Sequence, residues 1–280
     1  MKLKQILALA IFTGVMFSCG EDKKVEKVES EKVEKTADFD FNVEQFADIK
    51  VLRYQIPGWE DLTLKEQKLV YYLTQAGLSG RDIMWNMNYR HNLKIRKALE
   101  NVYATYDGDK KSNDWQAFET YLKRFWFSNG IHHHYSNDKI KPEFSSEYLK
   151  GLLAKTNTTL EGEAFDVIFN DKDAKKVNLA NGVDNVLMSA VNFYGPDVTT
   201  ADVESFYGKK TSPNPEKPLS YGLNSQLVKV DGVLTERVYK SGGLYGEAID
   251  EIVKWLELAK GVAENKAQGD ALGLLISYYK

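Results

Sequence analysis

Between Thr63 and Gly130 the chain lays down one helix signal after another, and this run constrains the fold more than any other feature. Thr63 stands before LKEQKLVYYLTQAG with Glu66 three residues on, a capping box that opens a helix. Leu69, Leu73 and Ala76 share one face of it, and Gly77 ends the pattern. GRDIMWNMNYRHNLKIRKALENVYATYDG continues as helix, with Ile83, Met84, Met87, Leu93, Ile95, Leu99 and Val102 as the expected core. Asn113-Asp114 starts the next, WQAFETYLKRFWFSNG, closed by Gly130. Its aromatic residues Trp115, Phe118, Tyr121, Phe125 and Trp126 fall at helical spacing and are expected to be core.

Outside that block the signals are shorter. Val43 to Tyr54 has apolar residues at Val43, Phe46, Ala47, Val51 and Leu52, which predicts another helix stopping before Pro57-Gly58. A helix is expected from Ser145 or Ser146 to Ala154, and a short one from Thr199-Thr200-Ala201 to Tyr207. Asn157 to Asn192 gives mixed signals and no boundaries. KKTSPNPEKPLSYG holds three of the six prolines and predicts an exposed loop. SQLVKVDGVLTERVYK is the best strand signal: Leu227 to Val230 and Val233 to Tyr239 flank Asp231-Gly232, the chemistry of a type I′ hairpin turn. A helix follows from about Tyr245, with Ile249, Ile252, Val253 and Leu256 on one stripe, and a last one covers roughly Ala267 to Lys280. The fold class this predicts is α+β, helix-rich, with at least one β-hairpin.

The chain's 280 residues suffice for one large domain or two modest ones, and its net charge of −3 argues against a nucleic-acid partner. One cysteine excludes a disulfide framework and any multi-cysteine zinc module. That cysteine, Cys19, follows Lys2, Lys4, an apolar run from Ile6 to Phe17, and Ser18, the layout of a secretory signal too short for a comfortable membrane span. The Ser18-Cys19 junction resembles a bacterial lipobox, although Met16 and Phe17 replace its usual Leu and Ala. The resemblance implies a signal peptide over 1–18, lipidation of Cys19 and an extracytoplasmic, lipid-anchored protein of the bacterial cell envelope. Residues 19–38 mix Lys and Glu with isolated Val and no aromatic, which predicts a charged, disordered tether before a globule over 39–280.

Three of the four histidines, His132, His133 and His134, are consecutive in SNGIHHHYSND. Neighbours on a helix diverge by about 100° and on a strand point to opposite faces, so three in a row do not converge on one ion. His91 sits among basic residues, and the chain has no HExxH, no CxxC and no GxSxG elbow. The glycines of KSGGLYGEAI lack the phosphate-loop pattern and read as turn and packing glycines. Neither a metal site nor a marked nucleophile is expected from the residues.

LVYYLTQAGLSGRDIMWNMNYRHNLKIRKALE, FWFSNGIHHHYSNDKIKPEFS and YGLNSQLVKVDGVLTERVYKSGGLYGEAIDEIVKWLELAKGVAEN resemble, in that order, the amino-terminal half of bacterial dipeptidyl peptidase III proteins, from about Phe39 onward. The resemblance implies a zinc exopeptidase that releases dipeptides from the free amino end of oligopeptides. Two lobes would flank its cleft, with zinc held by an HExxGH helix and a later glutamate on the catalytic lobe. This chain has no HE dipeptide, so no zinc ligand or catalytic base is carried over to any position. The expectation is therefore an amino-terminal portion of the non-catalytic lobe, truncated before the zinc lobe and inactive alone, with zinc bound only by the intact family member. By the same resemblance HHHYSNDKIKP lines the cleft, with Tyr135 offering its ring to the substrate peptide and Asn129 and His134 as neighbours. The alternative is a non-enzymatic surface lipoprotein that binds peptides.

Overall fold

The structure is a computed structural model that describes residues 39–280; the expectations for the signal peptide, Cys19 and the tether lie outside the described residues. Chain contacts separate Met1–Phe41 from Asn42–Lys280, and only Phe39 to Phe41 of the first unit are described. The second unit runs β1 (Asn42–Phe46), β2 (Ile49–Leu52), α1 (Leu64–Ser79), α2 (Arg81–Asn88), α3 (Asn92–Thr105), α4 (Asn113–Ser128), α5 (Ser146–Lys155), α6 (Glu163–Asp166), α7 (Thr200–Tyr207), β3 (Ser225–Val230), β4 (Val233–Val238), α8 (Gly246–Gly261) and α9 (Lys266–Tyr279). It is helix-rich, with two separate two-stranded antiparallel sheets. Among the described residues no helix is long and apolar enough to cross a membrane.

The helix starts fall where their chemistry places them. Thr63 and Glu66 form the reciprocal capping box of α1, and Thr199 and Asp202 form that of α7. Ser112, Ser145 and Asn265 each accept a backbone N–H at the start of α4, α5 and α9. The β3–β4 hairpin turns at Asp231 (φ 51°) and Gly232 (φ 78°), both in the left-handed region that a type I′ turn demands.

Three expectations are corrected. Val43–Tyr54 is a β-hairpin, not a helix: Phe46 pairs with Ile49 across a turn in which Ala47 takes φ 47°. Burial alternates along β2, the period of a strand, and α4 holds the hairpin through Lys123 to Glu44 and Arg124 to Asp48 (2.7 Å). The apolar spacing from Val43 to Leu52 suits either periodicity, and these tertiary contacts favour the strand. Second, the helix from Arg81 to Thr105 is broken at Tyr89–His91. Tyr89 takes extended backbone at the end of α2, which sends its ring into the core with no exposed surface. Third, Met84, expected in the core, is 54% exposed, while Trp85 and Tyr89 are the buried residues of the α2 region.

Two cores follow from the helix faces. The larger gathers Trp115, Phe118, Tyr121, Leu122 and Phe125 of α4 with Ile95, Leu99 and Val102 of α3, Leu149 and Leu152 of α5, and Phe165 of α6. Trp126, the fifth aromatic of the α4 stripe, packs at its edge, half-buried, with its indole N–H on Glu100 (3.0 Å). The smaller lies where α8 packs against α1 and α9, and is made of Ala76, Ile249, Ile252, Val253, Leu256 and Ile276.

Candidate functional site

The histidine segment begins where α4 ends. Asn129 caps the helix in the left-handed conformation (φ 51°), and the Gly130 N–H reaches back to the Phe125 carbonyl (3.1 Å). Asn92 of α3, with no exposed surface, holds this junction. Its Nδ2 donates to the Trp85 and Asn129 carbonyls (3.1 and 3.3 Å), and its Oδ1 accepts the Ile131 N–H (3.2 Å). Asn88 adds a second donor to the Asn129 carbonyl at 3.1 Å. Gly130 is required here: at φ 145° a Cβ would lie 2.1 Å from Asn92 Nδ2. The side chain of Asn92 thus explains both the break between α2 and α3 and the direction in which the chain leaves α4.

From there residues 131–140 fold back on themselves. Ile140 N–H donates to the Ile131 carbonyl (2.8 Å) and His133 N–H to the Asp138 carbonyl (2.7 Å), with Asn137 turning at φ 62°. The returning limb pairs with residues 174–176 through Lys139 N–H to the Ala174 carbonyl (2.9 Å) and Lys176 N–H to the Asn137 carbonyl (2.8 Å). Ile131 and Ile140 are buried at the base, while Tyr135 at the tip is 85% exposed.

The three imidazoles have three different environments. His132 is buried, and its Nε2 lies 2.7 Å from the Asp173 carbonyl. A carbonyl only accepts, so Nε2 carries the proton and Nδ1 is left as a buried acceptor without a partner. Burial pushes its pKa down to about 4, helped by the nearby Lys139 and Lys176 charges and opposed by the Asp173 carbonyl. His133 spends Nδ1 as acceptor for the N–H groups of Tyr135 (3.2 Å) and Ser136 (3.1 Å), which shapes the tip. His134 is exposed and lays its ring edge-on against Phe127, with centroids 4.8 Å apart. The His133 and His134 rings lie 4.4 Å apart, but His132 turns inward onto the Asp173 carbonyl and His133 spends Nδ1 on the loop backbone, so the three do not present one converging set of zinc ligands. Among the described residues no group of three or more His, Cys, Asp or Glu side chains is placed to hold a metal ion.

Of the sequence-predicted contact residues, His134 and Tyr135, neighbours in the chain, are both exposed at the tip of the loop. Asn129 lies below them, half-buried, and its backbone serves as the helix cap and the Asn88–Asn92 clamp. A cavity of about 270 Å³ separates the loop from α4, lined by Thr120, Tyr121, Arg124, His133, Asp138 and Lys139.

Behind the loop stands a polar cluster that the sequence does not announce. Glu163 accepts from Arg90 (3.0 Å) and from Lys172 and lies 3.2 Å from His91 Nε2, while Asp173 accepts from Tyr89 Oη (2.6 Å) and Arg90 (3.3 Å). The hydrogen bond from the Lys172 ammonium, with the Arg90 guanidinium, holds the Glu163 carboxyl down to about 2 against the opposing effect of burial. Burial pushes the Tyr89 phenol up, reinforced by its hydrogen bond to Asp173. The cluster borders a cavity of about 510 Å³ that also includes Asn178, Ser189 and Asn192. Every cation here is matched by a carboxylate, so its first role is to tie the α2–α3 junction to α6 and to the 172–176 segment that pairs with the histidine loop. Partners 73 and 83 positions apart leave no local signal.

No family model matches the chain, and no curated protein does. Among solved structures it is similar to that of DPP III from Caldithrix abyssi, with a TM-score of 0.48 and 20% identity over 79% of this chain. The chain spans 32% of the length of that protein, about a third.

Proposed function

We propose that the chain is an amino-terminal part of the non-catalytic lobe of a dipeptidyl peptidase III-like zinc peptidase, and that the 132–142 segment is a rim of its substrate cleft. Tyr135 would stack on the bound peptide, with His134 beside it and Asn129 beneath. The oligopeptide would be cut by zinc chemistry supplied outside these 280 residues, since the HExxGH motif is absent from them. Lipidation at Cys19 would keep the protein at the cell envelope.

The reading is supported by the three long sequence blocks in family order. The observation that carries the rim is the contrast within one short loop: buried Ile131, His132 and Ile140 fix its base, while Tyr135 is 85% exposed at its tip. A ring presented on a rigid base adds contact area at low entropic cost. The test is a titration of the full chain with short peptides, followed by the NMR signals of the loop. Saturable binding that Tyr135→Ala weakens about tenfold is expected, the scale of an aromatic hot spot. Identical titrations by the wild type and Tyr135→Ala would remove Tyr135 from the role. Dipeptidyl-arylamide turnover by the chain with added zinc is expected to be nil, and chelator-sensitive turnover would overturn the assignment of catalysis to another part of the protein.

A further inference from the structure

Away from the histidine loop, Lys210 sits in an unusual place for a surface lysine. It follows the end of α7 and reaches over three rings, those of Phe206 (4.8 Å to the centroid), Tyr207 (5.1 Å) and Tyr221 (5.5 Å). Its ammonium ends 2.6 Å from Glu236 Oε2 on β4. The walls are themselves fixed. Glu236 Oε1 accepts from Tyr207 Oη (3.0 Å) and Ser225 Oγ (2.6 Å), so the carboxylate and one ring are locked together. Gly222 (φ 78°) packs against the Tyr207 ring, where a Cβ would stand 3.0 Å from Cζ, and thereby brings Tyr221 to the other side. Burial pushes the Glu236 carboxyl up, but the hydrogen bonds from Lys210, Ser225 and Tyr207 outweigh it and leave the group below the usual carboxylate range.

Three ring faces and a carboxylate around one ammonium are the chemistry by which proteins recognise organic cations. Here the cation belongs to the chain, and it latches something. The proline-rich segment 211–221 closes on itself. Ser212 Oγ donates to the Asn214 carbonyl (3.0 Å) and accepts the Leu219 N–H (3.2 Å), and Tyr221 Oη donates to the Thr211 carbonyl (3.0 Å). Among the described residues the hydrogen bonds of 211–221 stay within the segment, so its polar attachment to the body is the neighbouring Lys210. A pre-folded loop held by one charged side chain is built to come away as a unit.

We propose that Phe206, Tyr207 and Glu236 form a binding site for a primary alkylammonium, the side chain of a lysine in a peptide or protein, for which Lys210 is the internal occupant and Tyr221 the cover, and that an external ammonium entering the site releases the 211–221 loop together with Tyr221. A primary rather than a quaternary ammonium fits because Glu236 Oε2 accepts a hydrogen bond from the present occupant. Lys210 competes from within, so the affinity of the wild type is reduced by the fraction of time the cage is empty. Nothing in the cage depends on the peptidase reading.

The test uses the full chain, Nα-acetyl-lysine amide as the probe, and the same compound acetylated on its ε-nitrogen as the control. Lys210→Ala is expected to bind the probe at least about tenfold more tightly than the wild type, to ignore the control, and to bind tetramethylammonium more weakly than the probe. Adding Glu236→Gln to Lys210→Ala is expected to abolish the gain. A second readout needs no variant. The probe is expected to speed proteolytic cleavage within 211–221 of the wild type, at a concentration where sodium chloride of equal ionic strength does not. Equal titration of Lys210→Ala and wild type, survival of the gain with Glu236→Gln, or an unchanged cleavage rate in the wild type would each overturn the proposal.

Discussion

The two cores of the folded unit grow from the same kind of sequence signal and end in different states. Along α4, Trp115, Phe118, Tyr121, Leu122 and Phe125 are all buried, and α3, α5 and α6 close over them. Along α9 only Ile276 is buried, while Leu274 is 74% and Tyr278 58% exposed. Both helices carry apolar residues at helical spacing. What separates them is the number of neighbours: α3, α5 and α6 surround the buried face of α4, whereas α9 packs mainly on α8, with the Ser241 N–H on its Tyr279 carbonyl (2.9 Å). An amphipathic stripe says which face seeks cover and is silent on how much cover exists. The histidine loop belongs to the sealed region, which is why its base is rigid enough to hold an exposed tip.

The contrast breaks most directly on large-to-small substitutions. Phe118→Ala in the sealed core is expected to lower the unfolding free energy by about 3–5 kcal/mol, from lost transfer energy and a cavity that its neighbours cannot fill. Ile276→Ala in the open core is expected to cost about 2 kcal/mol, at the low end for its type, because exposed neighbours can move into the space. Urea denaturation of the two variants measures both, and equal losses would mean that the cores do not differ in the way their burial suggests.

A second consequence of the sealed region is a pH dependence. His132 titrates near 4 in the fold and near 6.5 when unfolded, so the unfolded chain takes up the proton first as the pH falls. The stability contributed by the neutral imidazole is complete above pH 6.5, declines between 6.5 and 4, and is gone below 4. The shift amounts to about 3 kcal/mol. His132→Gln is expected to flatten that part of the stability curve relative to the wild type, since Glu163 and other carboxylates act at lower pH in both proteins. A wild-type curve as flat as the variant's between pH 6.5 and 4.5 would place His132 in water.

How much of this could be read from the chain depends on the range of the interaction responsible. Capping boxes at Thr63 and Thr199 and the Asp231-Gly232 turn act over two to four residues, and they appear where the residues predict them. The β1–β2 hairpin was hidden because Val43, Phe46, Val51 and Leu52 satisfy both periodicities, and the deciding contacts come from Lys123 and Arg124 some 75 to 80 residues away. The break at Tyr89 was hidden for a similar reason: no Pro or Gly marks it, and its cause is the Asn92 side chain bonding to Trp85 and Asn129. In the site, His132 is buried and His134 exposed, while the rings of the adjacent His133 and His134 lie 4.4 Å apart, so simple alternation does not describe the run. Which of them would be buried, and the Arg90–Glu163–Asp173 cluster behind them, required the fold.

The junction between the two helices gives a smaller but sharper test. Asn92→Ala removes two donors and one acceptor and leaves the Ile131 N–H and the Trp85 carbonyl buried with reduced bonding, a loss expected at about 2 kcal/mol. Because the same side chain sets the exit from α4, amide exchange should rise at Ile131, His133 and Lys139 well before global unfolding. Exchange in the loop that stays at the wild-type level in the variant would assign its rigidity to the 174–176 pairing instead.

The smallest expected effect bears on the open face. Leu274→Ser replaces a side chain that is already 74% exposed, so little apolar area is lost from the core and the unfolding free energy should move by less than about 0.5 kcal/mol. The consequence should appear in association instead. Leu275 and Tyr279 of α9 line an apolar cavity of about 440 Å³ with Leu73 and Met84, floored by Ile252 and Leu256, and Leu274 and Tyr278 add exposed apolar surface on the same helix. A contiguous apolar surface of this kind drives molecules together at high concentration. Sedimentation of the wild type and Leu274→Ser over a concentration series separates the two effects. A variant that stays monomeric further than the wild type, at unchanged stability, would show that the exposed face of α9 contributes to contacts between molecules and little to the fold. A large stability loss would mean that Leu274 is covered in solution, and the contrast between a sealed and an open core would then fail on its open side.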